Sequence, residues 1–329
     1  MKPPIHHILA PVILTLILQN ICCAWSEGGH HVIALLAYDL LTDAEQAEVL
    51  SILEDHPRFS DDFRPPRRIR DAERWRIGQA GFWPDVARRQ PKYNRPNWHY
   101  QPGAALTVGN EVLMNIPQSP EPCPADANLD SEELHIAQAV ELCRRILNDQ
   151  DQPAGNRAIA LSWLAHLVAD AHQPCHAGSL FAEDVFPGGD RQANLIEIVQ
   201  GKNLHALWDG LLGQRYDEQE VSNQIESITH GGDAMKAGPG ALKRPDPLDP
   251  LTWIDESRTH ARSLVYSTEV MGPIRATAEG IADEVPRIDL SAAYLERAKS
   301  LAEVRAVQAA YRLAEIWREA VSSASPNKE

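Results

Sequence analysis

The chain has 329 residues, 43% of them hydrophobic, and its 46 acidic residues outnumber its 31 lysines and arginines for a formal net charge of −15. That length allows one large domain or two small ones. The acidic balance excludes a protein that coats nucleic acid through bulk positive charge, but not an enzyme that binds a polyanion locally through bound cations.

In chain order, Met1 to Ala24 reads as a secretory leader: Lys2, then a short apolar run from Ile8 to Leu18, then the small residues Cys22-Cys23-Ala24 before a cleavage point at Trp25. The run is too short for a comfortable membrane span, so the expected location is periplasmic or extracellular. Cys123, Cys143 and Cys175 remain after cleavage, which permits at most one internal disulfide. Val32 to Leu41 reads as an apolar helix, and Thr42-Asp43 cap a second that runs through Glu54. His56 to Arg76, rich in arginine, aspartate and proline, reads as a surface excursion. Leu106 to Met114, centred on Gly109-Asn110, is the one plausible hairpin. Ser131–Asn148, Pro153–Ala171, Lys202–Tyr216 and Leu251–Val270 read as helices, and Gly231 to Asp249 as a loop insertion. A last helix, Leu290 to Val321, lines up Leu295, Ala298, Ala302, Ala306, Ala309, Leu313 and Ile316 on one side. The expected fold class is all-α, a single mostly helical domain with at most a short β-hairpin.

The chemistry concentrates in LSWLAHLVADAHQPCHAG, residues 161–178. His166 and Asp170 are four apart, hence on one helical face. Gln173-Pro174 break the helix, since proline disfavours helical geometry in the residue before it, and the break lets His176 turn back from a loop. His205 and Asp209 repeat the four-residue spacing in KNLHALWDGLL. Imidazoles and carboxylates presented in pairs from two helices read as a multinuclear metal centre, zinc first among the candidates. The alternative is a set of solvated or hydrogen-bonded polar residues on amphipathic helices. On spacing alone, Asp85 and Arg88 read as a surface ion pair and His99 as a hydrogen-bonded core histidine.

Five elements occur in one order: Trp25-x4-His30, Trp83-x-Asp85-x2-Arg88, Trp98-His99-Tyr100, His166-x3-Asp170-x-His172-Gln173-Pro174-x-His176 and Asn203-Leu204-His205-x2-Trp208-Asp209. In this the chain resembles the single-strand-specific, zinc-dependent nucleases of fungi and plants, which share their helical fold with the zinc phospholipases C. The resemblance implies three zinc ions. Asp85, His99, His166 and Asp170 would hold one, and His176, His205 and Asp209 a second. His30, a bridging Asp170, and the free amine and carbonyl of Trp25 would hold the third. It further implies endonuclease cleavage of single-stranded DNA and RNA to 5′-phosphates, with 3′-nucleotidase activity as a second expectation. Asp85 would orient water, Arg88 would pair with phosphate, and Tyr100 would stack on an unpaired base. Departures from the family pattern are Pro102, where an acidic residue is common, Gln192-Ala193, where a glycine pair is usual, and Cys175, where an apolar residue is usual. The competing functions are a zinc phospholipase C and a metal-free secreted helical binding protein.

Overall fold

The computed structural model describes residues 25–118 and 122–322, so the expected leader lies outside the described residues. Helix α1 (Glu27–Asp39) is followed by α2 (Asp43–Glu54) and the single turn α3 (Phe59–Asp62); α4 (Ala72–Ala87), α5 (Ile136–Asn148) and α6 (Ala154–Ala171) complete the first half. The second half contains α7 (Leu204–Asp209), α8 (Glu218–His230), α9 (Asp233–Ala241), α10 (Pro250–His260), α11 (Thr268–Ala278) and the long α12 (Ala292–Ser322). Local chemistry starts these helices where it should. Thr42 and Glu45 exchange side-chain bonds with each other's backbone to open α2. Asp71 accepts the Arg74 amide at 3.0 Å to open α4.

The organising element is α6. Every residue from Ala158 to Ala171 is buried, so this helix is surrounded, packing against α2, α4, α5 and α12. A helix apolar on all sides belongs in a core. The polar exceptions in its buried stretch 158–171 are Ser162, which bonds back to the Ala158 carbonyl at 3.2 Å, and the pair His166 and Asp170. Helices α1 and α4 approach closely because α4 carries Gly81. A Cβ at that position would stand 3.1 Å from the His30 carbonyl.

Two apolar cores result. The larger joins α1, α2, α4, α5, α6 and much of α12. The smaller gathers Cys175, Leu180, Leu204, Trp208, Val265 and Tyr294 around the sheet and the start of α12. Among the described residues no helix is long and apolar enough to cross a membrane, and none of Cys123, Cys143 and Cys175 forms a disulfide.

Several expectations need correction. Leu106–Met114 is not a hairpin. Strand β1 (Ala104–Val108) pairs in parallel with β2 (Ser179–Ala182), from Ala104 against Ser179 to Val108 against Ala182. The Gly109-Asn110 signal instead marks a bend, with Gly109 at φ 94° and the Glu183 carboxylate accepting the Asn110 amide at 2.9 Å. The expected loop at Gly231–Asp249 contains α9, whose Gly238 lies so close to the Tyr311 ring of α12 that a Cβ would clash at 2.3 Å. Leu251–Val270 is not one helix: α10 passes into a wide π turn at Ala261–Val265 and stops before Ser267. The surface excursion ends at Asp71, and α7 is confined to Leu204–Asp209.

Candidate metal centre

His166 and Asp170 project from α6 toward residues delivered by four other segments. The 3-10 turn Pro96–His99 brings His99, α1 brings His30, α4 brings Asp85, and the break after α6 brings His176. His172 caps α6, Gln173 is extended at φ −83°, ψ 117°, and Pro174–Ala177 form a short 3-10 turn. His30, Asp85 and His166 have ligand-type atoms within 4.8 Å of one another, as do His99, His166 and Asp170. A further set, His176, His205 and Asp209, meets the same limit.

Within the set on α6, His166 Nε2 lies 2.8 Å from His99 Nδ1, and both lie 3.2 Å from Asp170 Oδ2. His30 Nε2 stands 3.5 Å from the other oxygen, Asp170 Oδ1. The His30 and His166 rings stack at 4.1 Å. One carboxylate therefore faces three imidazoles. The His166 Nδ1–H donates to the Gly81 carbonyl at 2.7 Å, which leaves the Nε2 lone pair facing inward. The other set repeats this logic. The His176 Nδ1–H donates to the His99 carbonyl, and the His205 Nδ1–H to the Gln192 carbonyl at 2.5 Å. Both Nε2 lone pairs thus point at one another across 3.2 Å, with Asp209 Oδ2 3.3 Å from His205.

Burial, the largest cause in each case, shifts these groups toward their neutral forms. It lowers His30, His99 and His176 well below the ordinary histidine range and takes His166 down to about 4. It raises the carboxyls of Asp85, Asp170 and Asp209, against the opposing pull of Arg88 on the first two and of His205 on the third. Neither ring nitrogen of His30 has a hydrogen-bond partner, nor do Asp85 Oδ2 and Asp170 Oδ1. Buried lone pairs aimed at common points, with few donors among them, fit a divalent cation bound by nitrogen and carboxylate oxygen. The donor set therefore suits metal ions.

The remaining residues expected in the site lie around these sets. Asp85 Oδ1 is 2.7 Å from Arg88 Nε, both largely shielded from solvent. Trp25 is fully buried, its indole donating to the Ala169 carbonyl at 3.0 Å, while the next amide, that of Ser26, donates to the Asp209 carbonyl at 2.9 Å. The Trp25 segment thus lies between α6 and α7. Tyr100 is half-buried, its ring edge-on to His135 at 5.3 Å and its hydroxyl 3.3 Å from Asn97 Oδ1. His172, in the same histidine-rich motif, turns away. Its Nδ1–H donates to the Val168 carbonyl and its Nε2 accepts from Arg312, each at 2.7 Å.

Spacing missed the residues that aim the ligands. Gln173 reads as a helix breaker, yet its buried side chain donates to Asp209 Oδ1 at 2.6 Å while its carbonyl oxygen Oε1 accepts the Cys175 amide. The sequence signal for it is a polar residue locked between two histidines and a proline. The His205 ring is oriented by a turn in which Arg191, Gln192 and Ala193 all adopt left-handed φ of 54°, 55° and 66°. Non-glycine residues in that region each cost on the order of 1–3 kcal/mol. Buried Asp190 anchors the turn by accepting the Leu180 amide at 3.0 Å and the Tyr266 hydroxyl at 2.8 Å. No local sequence signal announces this.

Comparison with known proteins places the chain. Residues 25–322 match the family described as S1/P1 Nuclease. The chain is 23% identical over 320 residues to Nuclease S1 of Aspergillus oryzae, covering 94% of this chain and 96% of that protein. It is 20% identical over 226 residues to Endonuclease 3 of Arabidopsis thaliana, covering 68% of this chain and 66% of that protein. The chain belongs to the S1/P1 nuclease family, whose chemistry is hydrolysis of phosphodiester bonds in nucleic acids.

Proposed function

We propose that the protein is an exported endonuclease that binds three zinc ions and cuts single-stranded DNA and RNA, leaving 5′-phosphates, with 3′-nucleotidase activity at the same centre. The observation that carries this reading is the convergence of three His/Asp sets in one buried cluster, two of them sharing His166. His99, His166, Asp170 and Asp85 would hold one ion, and His176, His205 and Asp209 another. His30 and Asp170, with the backbone amine and carbonyl of Trp25, would hold the third. Bound zinc supplies Lewis-acid charge and lowers the pKa of water toward neutrality.

The chain's own groups supply the rest. Asp85, with Oδ2 free of hydrogen bonds, would orient water for in-line attack on phosphorus. Arg88, paired with Asp85 at 2.7 Å, would donate to phosphate oxygens as charge builds there. Tyr100, half-buried beside His99, would stack on a base, and stacking requires an unpaired one. An amine coordinates only when deprotonated and unblocked, so the Trp25 role requires removal of residues 1–24.

The test compares cleavage of denatured and duplex DNA by protein beginning at Trp25, with zinc counted per chain. The expected outcome is three zincs and a strong preference for the denatured strand. Protein carrying one or two extra N-terminal residues should keep zinc at His176, His205 and Asp209 but lose the ion at His30 and most turnover. Full activity with three zincs in the extended form would remove the Trp25 assignment. Equal cleavage of duplex and single strand would remove the specificity.

A further inference from the structure

The metal centre leaves unused a basic stretch in this acidic chain. Between Arg58 and Arg95 lie 11 of the 31 lysines and arginines but only 5 of the 46 acidic residues. Four of these arginines, Arg64, Arg67, Arg68 and Arg70, sit in the loop 63–71 between α3 and α4, and all four are exposed. Other arginines of the stretch spend their charge on carboxylates: Arg58 on Asp61 and Asp62, Arg74 on Asp39, Arg95 on Asp130. Among the described residues the four loop arginines have no ion-pair partner, although acidic residues dominate the chain.

The loop is also held in shape. Phe63 is buried, with its ring stacked on Phe59 at 5.9 Å and on Trp83 at 6.4 Å. Pro65 and Pro66 restrict φ just before the turn at Arg67-Arg68, which the Ile69 amide closes by donating to the Pro66 carbonyl at 3.0 Å. At the far end the Glu218 carboxylate accepts the backbone amides of Arg70 and Asp71, at 3.0 and 3.2 Å. That acid therefore fixes the loop's backbone instead of neutralising its guanidinium groups. The anchors also locate the loop. Asp62 Oδ2 accepts from Trp83 Nε1 at 3.0 Å, two residues before Asp85, while Asp71 caps the opposite end of α4. The arginines thus run along a helix of 16 residues, about 24 Å long at 1.5 Å per residue, from the end that carries Asp85 to the end remote from it.

We propose that the loop Arg64–Arg70 is an exosite for the sugar-phosphate backbone of a single nucleic-acid strand, holding the polymer beyond the nucleotides at the metal centre. This rests on the nuclease reading. Guanidinium groups take phosphate oxygens in bidentate fashion, and such contacts position a strand without reading its sequence. Each neutralised phosphate releases counterions, so the contribution is steeply salt-dependent. The loop would make the enzyme favour long strands over short ones.

The experiment replaces the four arginines together, Arg64→Gln, Arg67→Gln, Arg68→Gln and Arg70→Gln, in the zinc-loaded protein. Values of kcat/KM are measured on a dinucleotide and on a 40-nucleotide single strand at 50 and 200 mM salt. The expected result is unchanged dinucleotide cleavage and at least a tenfold loss on the long strand at 50 mM salt. Each neutralised phosphate on a single strand carries about 0.7 of salt slope, so removing four arginine–phosphate pairings should flatten log affinity against log salt by about 2.8. The corresponding four-lysine variant should keep most of the slope. Equal loss on both substrates, or no loss on the long strand, would overturn the exosite. Anisotropy of a cleavage-resistant phosphorothioate 40-mer separates this outcome from failure of the nuclease reading. Arginine-dependent strand binding without cleavage of either substrate would uphold the exosite and remove the nuclease reading. Loss of binding to phosphatidylglycerol vesicles with strand binding intact would reassign the loop to a lipid surface.

Discussion

Two buried polar clusters meet at the end of α6, and they are built on opposite principles. On one side Asp170 faces His30, His99 and His166 with lone pairs converging and few donors among them. On the other, two residues along, His172 enters a cluster in which donors and acceptors match but for Arg312 Nε. Glu256 takes Arg305 at 2.7 Å and Arg312 at 2.8 and 2.9 Å. Arg305 also donates to the His172 carbonyl at 3.1 Å and to Ser257 Oγ at 2.8 Å, and Ser257 donates to the Ala171 carbonyl at 2.7 Å. Both arginines are fully buried. A matched cluster satisfies itself; an unmatched one calls for a cation from outside. The difference, not the presence of histidine, separates the candidate metal centre from a structural clamp.

The contrast can be broken most sharply at Asp170. Asp170→Asn removes the charge that faces three imidazoles. The expected loss in turnover on single-stranded DNA is about a thousandfold, about 4 kcal/mol at the transition state, with at least one metal ion missing by elemental analysis. Full metal content with full turnover would show that this carboxylate does not bridge. Glu256→Ala tests the matched side. Removing one partner from a buried ionic cluster costs about 3–5 kcal/mol, read as a lower urea midpoint, while metal content at saturating zinc stays unchanged. Parallel loss of metal would merge the two clusters into one functional unit.

A third test uses pH. Burial holds His166 at about 4 and His31 and His56 at about 3, so the unfolded chain takes up protons that the folded chain refuses. The histidine contribution to the stability of chelated protein should therefore be lost as pH falls from about 7 through the unfolded histidine range near 6.5 and on toward 4, opposed in part by the raised carboxyls of Asp85, Asp170 and Asp209. The matched cluster behaves differently. Glu256, despite the upward push of burial, is held at about 2 by Arg312 and Arg305. Its contribution is complete above the ordinary glutamate range and is lost only as pH falls toward 2. Chelation itself should lower the melting temperature, by about 2.7 kcal/mol of stability where free metal had been 100 times its Kd. A flat melting profile between pH 7 and 4 in the chelated protein would contradict the histidine argument. The smallest effect belongs to His172→Gln, which keeps an acceptor for Arg312. It should cost about 1–2 kcal/mol and leave the metal count alone; loss of metal would place His172 on the wrong side of the divide.

What the sequence revealed and concealed follows from how local each cause is. His166 with Asp170, and His205 with Asp209, are spaced by the pitch of one helix, so their shared faces are readable. The Thr42–Glu45 capping box and the Gln173-Pro174 break are equally local. The β1–β2 pairing is not: Ala104 meets Ser179 across the whole of α5 and α6, and no short pattern encodes a parallel partner that far away. Helix α9 hides behind its glycines and Pro239 because tertiary packing on Tyr311 overrides poor propensity. The left-handed turn 191–193 is least legible of all in this chain by itself, since Gln192 and Ala193 do not favour positive φ; the glycine pair usual there in the resembled family is the only hint.

Arg305 and Arg312 also impose an order on biosynthesis. Asp170 leaves the ribosome more than a hundred residues before Arg305, an interval of roughly 10 s at ordinary elongation rates. During it α6, buried on every side in the finished protein, lacks the helix that covers one flank and clamps its end. The final helix is therefore a latch on α6: a nascent or C-terminally clipped chain carries the proposed ligands without the bonds from Arg305 and Arg312 to His172. A chain terminated before Arg305 should emerge aggregation-prone and fail to retain metal at Asp170 and His176, and its recovery as a soluble protein with full metal content would refute the latch.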